Sequence, residues 1–109
     1  MGREHYILDG HEAKPVDLMT WAKWFEKARQ DRVVARTNVV PGSDVSTVFL
    51  GLDHQWGDGP PLIFETMVFG GPLDQETERY STWEEAEAGH AQMVERVRRA
   101  PGDGKGAGK

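Results

Sequence analysis

Cysteine is absent from the 109 residues, which excludes disulfides, thiolate nucleophiles and Cys-ligated zinc. The absence fits a reducing compartment. Positive charge is also scarce: 13 Lys and Arg stand against 18 Asp and Glu, a formal net charge of −5. Non-specific binding to nucleic acid or to an anionic membrane needs clustered cations, so this balance argues against both partners and favours solubility. No stretch approaches the roughly 18 apolar residues of a membrane span. Met1-Gly2-Arg3-Glu4-His5 leads into mixed sequence rather than the apolar core of a signal peptide. The chain is therefore expected to be cytoplasmic.

What is present suits one core. A content of 38% apolar and 28% charged residues, with four Trp, four Phe and four Met, is ordinary for a globular chain and supplies bulky packing material. Residues 1–100 are expected to form a single domain, followed by a Gly- and Lys-rich tail, 101–109, with nothing to bury and hence disordered. Tyr6-Ile7-Leu8, stopped by the turn pair Asp9-Gly10, predicts a first strand over 4–8. Asp17 then caps a helix in which Leu18, Trp21, Ala22, Phe25 and Ala28 recur at helical spacing, with Trp24 at the edge of that stripe. From Arg32 to Val40 the period changes to two, with Val33, Ala35, Thr37 and Val39 on one side. Pro41 to Asp44 has turn chemistry, Val45 to Leu52 returns as a strand, and Leu62 to Phe69 follows a polar loop over 53–61. Arg79-Tyr80-Ser81 adds a short edge strand. Thr82 with Glu85 has capping-box spacing, and Trp83, Ala86, His90, Met93, Val94 and Val97 mark the buried face of a second helix that Pro101 ends.

Chemistry-bearing residues are few and scattered. His5, His11, His54 and His90, with Asp9, Asp53 and Asp58, offer imidazole and carboxylate. None of the histidines has the i, i+4 spacing of a zinc helix, and Asp53 to Gly59 lacks the ligand pattern of a calcium loop, so no metal and no cofactor is expected. His90 lies within an apolar stripe, where a packed histidine with a satisfied ring is the ordinary outcome and a buried base or pH sensor the functional one. Glu65 is a lone acid inside Leu62-Ile63-Phe64-Glu65-Thr66-Met67-Val68-Phe69; it is expected to face solvent or to pair across strands with Arg36 or Arg79. No serine sits in a nucleophile elbow, and no glycine run precedes a helix as a phosphate cradle. The element order also matches a double-stranded-RNA-binding domain. That module needs a basic helix N-terminus, whereas this second helix opens with Glu84, Glu85 and Glu87.

Phe64-Glu65-Thr66-Met67-Val68-Phe69 and Arg79-Tyr80-Ser81-Thr82-Trp83-Glu84-Glu85-Ala86-Glu87-Ala88-Gly89-His90 resemble a family of short, uncharacterised proteins encoded by tailed bacteriophages and prophages. Asp17-Leu18-Met19-Thr20-Trp21 and Ser46-Thr47-Val48-Phe49-Leu50-Gly51-Leu52-Asp53-His54 extend the resemblance over most of residues 5–97. It carries no catalytic or binding residue with it. The expected fold is α+β, a mainly antiparallel sheet of four or five strands with two helices on one face, in the order β-α-β-β-β-(β)-α. The expected function is that of a phage or prophage accessory protein in the host cytoplasm, acting without catalysis by binding a host or phage protein or a second copy of itself. Two helices cover one face of such a sheet, so the odd set Ile63, Glu65, Met67 and Phe69, with Trp24, is the expected contact surface. The alternatives are a small enzyme or ligand-binding module using His54, Glu65 or His90, and a minor virion component.

Overall fold

The computed structural model describes residues 5–54 and 58–100. The expected tail at 101–109, the first residue of the expected 4–8 strand and part of the 53–61 loop lie outside them. The chain runs β1 (His5–Asp9), β2 (Glu12–Val16), α1 (Leu18–Lys27), β3 (Val33–Val40), β4 (Ser43–Phe49), β5 (Phe64–Phe69), β6 (Thr77–Tyr80) and α2 (Trp83–Arg99). β3 to β6 form a four-stranded antiparallel meander in chain order, and β1 and β2 form a separate two-stranded sheet. The fold is α+β.

Each strand of the meander buries alternate residues. Val45 lies opposite Val68, Thr47 opposite Thr66 and Phe49 opposite Phe64, all six fully enclosed. These form the inner face, on which α2 lies with Trp83, Ala86, Gly89, His90, Met93 and Val97 buried. Two apolar clusters result. Phe49, Ile63, Phe64, Trp83 and Ala86 meet Leu8 at one end, and Val45, Val68, Met93 and Val97 pack at the other. The rings of Phe49, Phe64 and Trp83 interlock at centroid distances of 5.1 and 6.2 Å, in tilted and edge-on geometry favoured by their quadrupoles.

α2 begins as its capping signal dictates. Thr82 accepts a hydrogen bond from the Glu85 N–H, and the Glu85 carboxylate accepts from the Ser81 N–H, each at 3.0 Å. Arg96, Arg98 and Arg99 crowd its last turn, where cations complement the helix dipole.

The N-terminal region departs from expectation. Glu12–Val16 is a strand, pairing with β1 so that Pro15 faces Tyr6; in a two-stranded sheet Pro15 can turn its missing N–H to the open edge. The hairpin is tied to the meander by the Tyr6 N–H, which donates to the Gly51 carbonyl at 2.8 Å. α1 is capped by Asp17, whose Oδ1 accepts from the Thr20 N–H at 2.8 Å. Its expected stripe is only partly covered, however. Trp21, Trp24 and Phe25 are half-buried, whereas Leu18 is 56% exposed and Ala22 also faces solvent. The helix rests against the hairpin and the border of the first cluster, not on the sheet proper.

Candidate functional site

Because Val45, Thr47, Phe49, Phe64, Thr66 and Val68 point to α2, the intervening residues point the other way. Asp44 lies opposite Phe69, Ser46 opposite Met67 and Val48 opposite Glu65. Arg36 and Asn38 continue this outer face onto β3, and Thr77 and Arg79 continue it onto β6. Neither helix lies on it. Phe69 is 50% exposed; Met67 and Val48 are half-buried.

Glu65 is held rather than free. The Arg79 guanidinium donates to Glu65 Oε2 through Nε and Nη2, both at 3.1 Å. The two residues are directly opposed on β5 and β6. Of the two cations expected as partners, Arg79 is therefore the one in place; Arg36 lies two strands away. Side-chain exposures of 16% for Glu65 and 42% for Arg79 make this a partly screened pair with fixed orientation, contributing little to stability.

The residues expected at the contact surface separate in space. Glu65, Met67 and Phe69 share the outer face. Ile63 is 1% exposed and belongs to the core, because the regular strand starts only at Phe64. Its carbonyl accepts from the Leu50 N–H at 2.7 Å, and its own N–H donates to the Tyr80 carbonyl at 3.0 Å. Trp24 sits apart on α1, edge-on to Phe49 at 5.7 Å, as a half-buried wall of the core.

The histidines do not converge. His54 is exposed in the loop after β4, and among the described residues no three His, Asp or Glu side chains gather as metal ligands. His90 is 6% exposed and bonded at both ring nitrogens, Nε2 to the Thr37 hydroxyl at 2.9 Å and Nδ1 to the Thr47 hydroxyl at 2.7 Å. Thr47 is also bonded to the Thr66 hydroxyl. A hydroxyl relay thus crosses the sheet from β3 to β5 beneath α2. Burial pushes the His90 pKa below its ordinary value. Burial likewise pushes the Tyr80 pKa up, opposed by the nearby Thr66 hydroxyl. With both nitrogens engaged and the ring enclosed, His90 has the geometry of a packed core histidine. Its threonine partners were not singled out from the sequence, although the alternation of β3 already set Thr37 among inward-facing residues.

A shallow depression of about 490 Å³ lies where the hairpin meets the start of α2, lined by Asp9, His11, Glu12, Thr82, Trp83 and Glu84 among others. The His11 ring stacks on Trp83 there at 3.8 Å and 5°. Neither His54, Glu65 nor His90 lines it.

Comparison of the chain with protein-family models, with curated proteins and with solved structures returned no match in any of the three.

Proposed function

We propose that the protein works without catalysis, as a phage or prophage accessory protein that binds another protein through the outer face of its meander. The observation that carries this reading is the face left uncovered by both helices, where Phe69, Met67 and Val48 share the surface with the oriented Glu65–Arg79 pair. Apolar anchors around a fixed polar pair are the composition of a contact patch. A residue placed for solvent alone gains nothing from a half-exposed phenylalanine, although scattered single cases are common on soluble proteins.

Met67→Lys and Phe69→Lys test the reading, because neither side chain is enclosed in the core. Both variants are expected to fold with unchanged circular dichroism and to lose the proteins that the wild type captures from infected or lysogenic host lysate. Equal capture by wild type and both folded variants would remove the outer face from any binding role.

A further inference from the structure

The two open edges of the meander are protected to different degrees. β6 has four residues, two of them the charged Glu78 and Arg79, and short charged edges resist strand addition. β3 has eight residues, without proline, glycine or lysine, and Arg36 is its one charged side chain.

The register shows which backbone groups of β3 are unused by the sheet. The Leu50 N–H donates to the Ile63 carbonyl, so the even-numbered residues of β4 turn their backbone groups toward β5 and the odd-numbered ones toward β3. Val45 and Thr47 accordingly bond Thr37 and Ala35, their register partners. Arg36 and Asn38 therefore direct N–H and C=O away from the sheet. Side-chain burial agrees that nothing in the described chain lies beyond them: Ala35, Thr37 and Val39 are half-buried while Val45 and Thr47 on the next strand are fully enclosed.

We propose that a second copy of the chain occupies this edge, its β3 antiparallel to the first about a two-fold axis at Thr37. Residues that pair must lie on the same face. About this axis Arg36 pairs with Asn38 of the second copy, both outer, and Ala35 with Val39 of the second copy, both inner. The outward N–H and C=O groups of Arg36 and Asn38 then meet their counterparts. Of the two neighbouring same-face registers, the one centred on Arg36 sets two guanidinium groups directly opposite each other, an unfavourable cross-strand pair, and the one centred on Asn38 would have to pair across the irregularity at Asn38/Val40.

Charge also selects the Thr37 register. Among the described residues Arg36 makes no ion pair. In the joined sheet it approaches Asn38 of the second copy and, one strand further, Asp44, whose Oδ1 accepts from Asn38 Nδ2 at 2.6 Å. Two strand spacings, roughly 10 Å between Cα atoms, are within the combined reach of an arginine and an aspartate side chain. Both α2 helices fall on the same face of the joined sheet. Val39, and Val94 one turn after the His90 that bonds Thr37, are half-buried and would be covered. Irregular register at Val33/Ala35 and at Asn38/Val40 confines pairing to the middle of the strand, so the association is short and reversible.

Residue-resolved amide hydrogen exchange on the full chain, combined with sedimentation, tests this. At the highest soluble concentration the mass should rise toward twice the 12.2 kDa of one chain. The Arg36 and Asn38 amides should then exchange about tenfold more slowly than after about hundredfold dilution, while those of Ala35 and Thr37, bonded to β4, keep their rates. Arg36→Glu should abolish the concentration dependence, and Arg36→Glu with Asp44→Arg should restore it. A mass that stays at one chain, or Arg36 and Asn38 rates independent of concentration, overturns the proposal. So does a dimer that persists unchanged in Arg36→Glu.

Discussion

Thr47→Val replaces the central hydroxyl of the relay with a methyl group of nearly the same shape, so its cost reads the polar network with little change in packing. Thr47 is fully buried and its hydroxyl is bonded to both His90 and Thr66. An ordinary buried hydrogen bond contributes ~1 kcal/mol net, and a buried group left without a partner costs ~1–3 kcal/mol. Thr66 and His90 Nδ1 each lose the partner identified for them. The expected loss is therefore ~2–4 kcal/mol, a large fraction of the ~5–15 kcal/mol typical of a domain. Thr37→Val removes a bond at the sheet edge, where Thr37 is half-buried and water can substitute, so its cost should be nearer ~1 kcal/mol. Urea melts with an unchanged slope measure both values. A Thr47→Val loss below ~0.5 kcal/mol, or a larger loss for Thr37→Val, would show that the relay does not hold His90 in place.

Because burial lowers the His90 pKa below its ordinary value of 6.5, the unfolded chain binds the proton more readily than the folded one. The contribution of His90 to stability is full above that pH and declines as pH falls from 6.5 toward the folded value. His90→Gln should flatten the slope of stability between about pH 7.5 and about pH 5.5, and an unchanged slope in denaturant melts would assign the acid sensitivity to other groups. Thr82→Ala should cost ~1 kcal/mol by loss of the α2 cap, measured by thermal melting; no change would remove Thr82 from that role. Gly70 has φ of 89°, and an added Cβ would collide with the Gly42 carbonyl. Gly70→Ala should therefore lose at least ~2 kcal/mol, and a variant as stable as wild type in the same melts would show that the turn and the β5 end move apart freely.

Legibility followed the strength of local signals. α2 was readable because its cap, its apolar period and its terminating proline agree, and all but Val94 of its expected stripe is fully buried. Gly89 escaped notice since nothing in the sequence announces that the Tyr80 ring occupies the space a side chain would need. β2 was missed because Ala13-Lys14-Pro15 has low strand propensity and Pro15 suits the approach to a helix; hairpin pairing with β1 overrode both. On α1 the spacing specifies a face but not what covers it, and Leu18 and Ala22 of that face meet solvent. On β5 the acid placed Met67 and Phe69 outside with Glu65, while Ile63 lies before the alternation begins. The partners of His90 come from two different strands, and such tertiary pairing leaves no mark at the histidine itself.

α1 contains no fully buried residue, and together with the hairpin it precedes the whole meander in the chain. The second cluster, formed by Val45, Val68, Met93 and Val97, includes no residue before β4. Breaking the Tyr6–Gly51 bond, unstacking His11 from Trp83 and withdrawing Leu8 and Trp24 from the first cluster would therefore release residues 5–28 while the far half of the sheet stayed packed beneath α2. Native proteins open in such contiguous units at free energies below that of global unfolding. On warming, the backbone amides of α1 would then become labile before those of β4 and β5, and among the described residues the first place for a protease to cut would be 5–28.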